Sequence, residues 1–133
     1  KEVGVETAAT FIIGMPGETK EEILQTIRFA NELDPDYAQF SIATPYPGTE
    51  LYEMANEDGL IKTQDWSRYT VMKPIIATKE FMAKDVGKLL SKAYRAFYLR
   101  PRFLLRQILK KRFSLFKLVF KSYILHRNRH LTL

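Results

Sequence analysis

Residues 8–43 read "AATFIIGMPGETKEEILQTIRFANELDPDYAQFSIA". The segment opens on a short apolar run, Ala8–Ile13, closed by Gly14; such a run suits a strand buried on both faces, as in a parallel sheet. Thr19 and Glu22 stand three apart, the spacing of a capping box, in which hydroxyl and carboxylate satisfy the free N–H groups of a helix start. Ile23, Ile27 and Ala30 then recur at helical spacing with Leu24 beside them, while Glu21, Gln25 and Arg28 can face water. Asp34-Pro35 ends the helix. Tyr37–Ala43 alternates Ala38, Phe40 and Ile42 with Tyr37, Gln39 and Ser41, which is a second strand carrying one polar row.

Strand, helix, strand with short connections is a βαβ unit, whose right-handed crossover makes the two strands parallel. Two Gly/Pro loops, "GMPGET" at Gly14–Thr19 and "TPYPGTE" at Thr44–Glu50, then follow the C-terminal ends of the strands. In parallel α/β sheets and barrels that is the edge where ligands bind. Gln39 and Ser41 are expected to point into a barrel or toward that edge.

The first loop is not a phosphate cradle of the usual kind. GxxxxGK[ST] is absent, because Gly14 and Gly17 are three apart and Lys20 is followed by Glu21. GxGxxG is absent as well, and Glu18 beside the helix start would repel a phosphate. A plain strand-to-helix turn, with Gly17 supplying backbone freedom and Pro16 stiffness, accounts for the loop on local grounds. Its repetition at the end of the neighbouring strand is harder to assign to turn chemistry.

Further along, Thr49 is a second N-cap and Leu51–Asp58 a short helix closed by Gly59. The stretch "LIKTQDWSRYTVMKPIIATKEF" has no clear period and reads as an irregular cover with at most one short strand. Lys84–Tyr98 is helical, with Val86, Leu89, Leu90, Ala93 and Phe97 on one face, and Pro101 begins another helix. The chain divides on this reading into residues 1–60, 61–100 and 101–133.

Composition narrows the chemistry. With 133 residues there is room for one modest core. No cysteine is present, which excludes disulfides, a catalytic thiol and an iron–sulfur cluster held by this chain alone. The two histidines form "HRNRH", His126–His130, a spacing that can present metal ligands but here encloses two arginines and no carboxylate. Charge is sharply divided: residues 1–85 hold 8 Lys+Arg against 15 Asp+Glu, and residues 86–133 hold 13 Lys+Arg and no acid. The apolar residues from Phe103 to Leu125 interleave with Arg and Lys, and no uncharged run approaches the roughly 20 residues that span a bilayer. Three readings of this tail stay open: a helix packed on the rest of the protein, an amphipathic element on an anionic membrane, and a nucleic-acid contact, which lacks any recognition motif. The chain starts at Lys1 without an initiator Met, and we expect it to be the C-terminal part of a longer protein; an engineered boundary is the alternative.

The pairing of "FIIGMPGET" with "YAQFSIATPYPGTELYE" resembles the later strands of radical S-adenosylmethionine (SAM) enzymes, in particular the group with a cobalamin-binding domain ahead of the radical domain. The likeness covers roughly Val3–Gly59, and "FYLRP", Phe97–Pro101, resembles the C-terminal extension of that group. It implies an α/β fold, the last two βα units of a partial (β/α)6 TIM-like barrel followed by a helical basic extension. It also implies a four-iron, four-sulfur cluster that reductively cleaves SAM, with cobalamin as a further cofactor. The residues it points to are Ile12, Gly14, Met15, Pro16 and Gly17 at the adenosyl side, and Phe40, Ser41, Pro45 and Tyr46 near cofactor and substrate, with Gly14 allowing close approach and Tyr46 closing over the site. Two positions depart from the fifth-strand pattern GxIxGxxE: the first glycine is Thr10, and Glu18 falls one place late. The CxxxCxxC cysteines are absent, so the chain alone is expected to be inactive.

The partners this implies are a small-molecule or lipid substrate, the preceding part of the same polypeptide and an anionic membrane surface, in a cytoplasmic setting at or near the inner face. A non-enzymatic adaptor that binds membranes through the basic tail is the rival reading.

Overall fold

The computed structural model describes residues 4–76 and 83–109, without the side chains of residues 83 and 84. His126, His130 and most of the basic tail lie outside the described residues. The chain separates into two compact units, residues 1–97 and 98–133.

In the first unit, strand β1 (Ala8–Ile13), helix α1 (Lys20–Leu33) and strand β2 (Tyr37–Ile42) form the expected βαβ unit, and the two strands pair in parallel. Helix α2 (Glu50–Glu57), a 3-10 turn (Trp66–Arg68) and helix α3 (Ala83–Tyr98) follow. Helix α4 (Pro101–Leu109) lies in the second unit and begins at the proline, as its sequence predicts. No strand forms between residues 60 and 76; Ile61 and Ile76 make one isolated antiparallel bridge, and the loop packs on α2 through Ala55, Tyr69, Ile75 and Ile76.

Helix α1 starts where the local chemistry dictates. The Thr19 hydroxyl accepts from Glu22 N–H, and the Glu22 carboxylate accepts from Thr19 N–H at 2.7 Å, closing the capping box. Hydrogen bonds to that carboxylate, from the Thr19 backbone foremost and then from the Thr19 hydroxyl at 2.8 Å, hold the Glu22 carboxyl below the ordinary carboxylate range. The helix ends at Leu33, and its C-cap Asp34, in the left-handed region at φ 46°, immediately precedes the proline. The carboxylate of Asp36 accepts from the N–H and hydroxyl of Thr7, at 3.1 and 3.2 Å, and so fastens the two strand entrances together.

Paired residues of parallel strands point to the same face, so the register Phe11–Phe40 and Ile13–Ile42 builds the core side of the sheet. The Phe11 and Phe40 rings stack with centroids 5.2 Å apart, and Tyr94 and Phe97 of α3 meet Phe40 edge-on at 5.4 and 6.4 Å. Ile23, Ile27 and Ala30 of α1 are buried on this side. The other face carries the pairs Thr10–Gln39 and Ile12–Ser41. Ala8, Thr10, Ile12 and Gln39 are exposed there, and Ser41 is buried. The expectation that β1 is buried on both faces is therefore corrected within this chain: α1 covers one face, and nothing among the described residues covers β1 on the other.

Candidate functional site

The C-terminal ends of β1 and β2 lie side by side and carry the two Gly/Pro loops at one end of the sheet. At β1, one carboxylate oxygen of Glu18 accepts from both Gly14 N–H and Met15 N–H, the latter at 3.1 Å, while Glu18 N–H donates to the Met15 carbonyl at 3.0 Å. Two consecutive N–H groups converging on one point make a nest for an anion, and the chain fills it with its own carboxylate. This is a firmer ground for rejecting a phosphate loop than motif spacing.

Gly14 has φ 78°, and a Cβ added there would lie 2.8 Å from Cγ1 of Val86 on α3. The missing side chain is thus required by the backbone and by internal packing, before any ligand is considered. Gly17 has φ 80° and open space around it, as befits a turn glycine. Ile12 is 57% exposed and Met15 is also exposed, both just before or within the loop. Pro16 is half-buried beside them.

At β2, Ser41 shares the face of Ile12, its register partner, and Gln39 Nε2 stands 3.5 Å from Ser41 Oγ. Phe40 points the other way, wholly buried among the aromatic rings of the core. Ile12 and Ser41 are therefore brought together, and the Phe40 side chain lies on the opposite face from them. Pro45 is buried, and Tyr46 stands at the loop surface with its hydroxyl donating to the Tyr69 carbonyl at 3.3 Å. The Tyr46 ring is thus anchored. With Tyr69 and Trp66, whose ring centroids are 4.6 Å apart, it forms an aromatic group at the end of β2. Burial first, and then the neighbouring Tyr52, push the Tyr69 phenol up from its ordinary value.

Which edges of the sheet are free follows from the backbone. Tyr37 N–H and Ala43 N–H donate to Thr7 and Ile13 carbonyls, so odd-numbered residues of β1 face β2 and even-numbered ones face outward. Among the described residues no strand pairs with that outer edge. The outer edge of β2 is closed instead: Ile42 N–H donates to the Val71 carbonyl at 2.7 Å, and the Tyr94 hydroxyl bonds both backbone groups of Phe40.

The face formed by Thr10, Ile12, Gln39 and Ser41 is neutral, with one apolar side chain among hydroxyl and amide groups. It can bind and orient a polar organic molecule through hydrogen bonds and van der Waals contact, and it offers no carboxylate, imidazole or ammonium for proton transfer. Among the described residues no group of three or more His, Cys, Asp or Glu could hold a metal ion. Gln39 joins the site as the polar row of β2 predicts, and Thr10, its register partner, joins it by a signal present in the strand pairing but not used to select it. Val86 and Tyr94, which shape the site from α3, carry no local signal.

No family model matches the chain. It is 50% identical over 108 residues to an uncharacterized methyltransferase of Pyrococcus horikoshii, an alignment covering 81% of this chain and 24% of the relative. It is 32% identical over 100 residues to the anaerobic magnesium-protoporphyrin IX monomethyl ester cyclase of Cereibacter sphaeroides, covering 75% of this chain and 16% of that protein. A bacteriochlorophyllide d C-8(2)-methyltransferase of Chlorobaculum tepidum is 27% identical over 112 residues, covering 84% and 25% respectively. The chain thus spans a quarter or less of the length of these curated relatives. Among the described residues, no helix is long and apolar enough to cross a membrane.

Proposed function

We propose that this chain is the C-terminal part of a radical SAM enzyme, supplying the fifth and sixth strands of a partial (β/α)6 barrel. The observation that carries the reading is the asymmetry of the two-stranded sheet. Its outer edge at β2 is closed by Tyr94 and Val71, and among the described residues its edge at β1 has no strand neighbour and its Thr10–Ile12–Gln39 face is uncovered. A sheet that ends at β2 and continues beyond β1 is what the last two strands of an open barrel require, with the uncovered face as the barrel lining. The relatives' names, methyltransferase and cyclase, support an enzyme that alkylates or remodels an organic substrate, and the segment they share with this chain is a small part of each.

The residues fit an adenosyl group in kind: Ile12 offers an apolar contact, Thr10, Gln39 and Ser41 offer hydrogen bonds, and Met15 stands exposed at the strand end. Gly14, Pro16 and Gly17 shape that end, Phe40 and Pro45 hold the β2 side from within the core, and Tyr46 stands over it. When bound with its cluster, SAM supplies one-electron cleavage chemistry. The cluster's thiolate ligands have to come from elsewhere in the polypeptide, because this chain has no cysteine. Cobalamin belongs to the same reading as a methyl carrier. The substrate is a small organic molecule or a lipid, and the setting is the cytoplasm.

The test is anaerobic expression of the complete polypeptide, with measurement of iron–sulfur absorbance and of 5′-deoxyadenosine or S-adenosylhomocysteine release from SAM. Absence of both products, in a polypeptide with no upstream CxxxCxxC, would sink the proposal.

A further inference from the structure

The aromatic group at the end of β2 is built as a fixed wall. Tyr69 is its buried member, and two exposed rings lean on it, Trp66 at 4.6 Å and Tyr46 at 6.3 Å between centroids. Both phenols spend their hydroxyls on the backbone: Tyr46 donates to the Tyr69 carbonyl at 3.3 Å, and Tyr69 to the Thr63 carbonyl at 3.0 Å. The turn that carries Trp66 is pinned as well, because Oδ1 of Asp65 accepts from the Ser67 N–H at 3.0 Å and from the Ser67 hydroxyl at 2.7 Å. Those two bonds, the one from the hydroxyl foremost, hold the Asp65 carboxyl below its ordinary range, and the nearby charges of Arg68 and Lys73 lower it further. Arg68 and Lys73 are exposed, and among the described residues neither forms an ion pair.

What the wall shows to solvent is therefore ring surface and positive charge. Trp66 is 55% exposed and Tyr46 43%, and rings held in advance lose little freedom when a ligand stacks on them. We propose that Trp66 and Tyr46 are specificity residues that seat a flat conjugated ring bearing a carboxylate, with Arg68 and Lys73 as the cations that meet the acid group. The chemistry selects this occupant. A sugar needs hydrogen bonds around the stacked face, and both phenol hydroxyls are already engaged. An organic cation would meet Arg68 and Lys73, and the carboxylate of the turn, Asp65, is taken by Ser67. The inference names the substrate class of the site proposed above and rests on that reading for calling the ring a substrate; the binding itself rests on these residues alone.

The experiment is equilibrium dialysis of the full chain against three probes: pyrenecarboxylate, flat and anionic; pyrenemethylamine, flat and cationic; and adamantanecarboxylate, anionic and globular. Pyrenecarboxylate is expected to bind at least about tenfold more tightly than either of the others. Its binding should quench the emission of Trp66, the chain's single tryptophan. Trp66→Leu, which keeps an apolar side chain without a ring, should lose at least about tenfold of that affinity, and Trp66→Phe should stay within about threefold of native.

A second variant at exposed positions guards against a misfolded first one. R68E/K73E should reverse the preference between the two pyrene probes. Adamantanecarboxylate or pyrenemethylamine binding as tightly as pyrenecarboxylate would overturn the proposal. So would native affinity in Trp66→Leu, unquenched Trp66 emission, or an unchanged preference in R68E/K73E. SAM cleavage by the complete polypeptide is read separately: its absence would sink the barrel reading with pyrenecarboxylate binding intact, and absent binding would sink this inference with SAM cleavage intact.

Discussion

The hydroxyl of Tyr94 on α3 accepts a hydrogen bond from Phe40 N–H at 3.2 Å and donates one to the Phe40 carbonyl at 3.0 Å. One phenol thereby does for the outer edge of β2 what a neighbouring strand would do, using both faculties of an O–H group. The Phe40 ring meets Tyr94 and Phe97 of α3 edge-on at the same point, so the helix is fixed to the strand by backbone and side chain together. The sheet consequently stops at β2 without exposing a template for further pairing.

Removing that hydroxyl should be costly although no volume is lost. In Tyr94→Phe, two backbone groups of Phe40 stay in place with no room for a strand to replace the phenol. A buried polar group left unpaired costs about 1–3 kcal/mol, so the variant should unfold at a clearly lower urea concentration. Tyr52→Phe, whose hydroxyl lies outside this arrangement, serves as the comparison and should stay within about 0.5 kcal/mol of the native chain.

The same phenol makes the fold sensitive to alkali. Burial pushes the Tyr94 pKa up, with the hydrogen bond from Phe40 N–H opposing it in part. The folded state therefore holds the proton more tightly than the unfolded chain, whose tyrosines titrate near about 10. The associated stability is complete below that pH and is lost as pH rises through the higher folded-state pKa. Urea midpoints measured between neutrality and about pH 11 should fall above about pH 10. Tyr94→Phe should show a shallower fall, because Tyr69, shifted the same way, remains.

Gly14 and Gly17 share a left-handed backbone but differ in surroundings, which separates two costs of a side chain. Gly17→Ala meets open space and should lose about 1–2 kcal/mol for the backbone conformation alone. Gly14→Ala adds a methyl group 2.8 Å from Val86 Cγ1 and should lose about 1–3 kcal/mol more through overpacking. Val86→Ala in the Gly14→Ala background should recover the packing part and leave the backbone part, a coupling that a double-mutant cycle in denaturant measures directly.

Much of the first unit was legible because its signals are local. The apolar run of β1, the Thr19–Glu22 box and the alternation of β2 each specify their element within a few residues, and the observed β1 bounds coincide with those expected. The residues that shape the site were legible only in part. Ile12 and Ser41 are register partners that the parallel pairing brings together, but Phe40 turned to the core because alternation puts it with Ala38 and Ile42. Glu18 was read as a charge that repels phosphate, whereas its carboxylate occupies the loop's own N–H groups. Tyr94 and Val86 act across more than fifty residues of sequence, and nothing within α3 announces which strand atoms they will meet.

The two faces of the sheet offer the sharpest separation between folding and function. Phe40 is fully buried among three aromatic rings, those of Phe11, Tyr94 and Phe97, and Phe40→Ala should cost about 3–5 kcal/mol, as large-to-small changes in a core do. Ile12 stands one residue further along β1 than Phe40's partner Phe11, yet its side chain is mostly in water. Ile12→Asp should leave the chain's urea midpoint within about 0.5 kcal/mol of native, the range of surface substitutions. In the complete polypeptide the same change puts a carboxylate into the proposed barrel lining. There it should lower SAM cleavage at least about tenfold, which is the rate equivalent of about 1.4 kcal/mol in the barrier. Ile12→Val, which keeps the apolar contact, should restore most of the rate. If Ile12→Asp unfolds the chain as Phe40→Ala does, the face is a core surface. If both Ile12 variants cleave SAM at the native rate, the lining lies elsewhere.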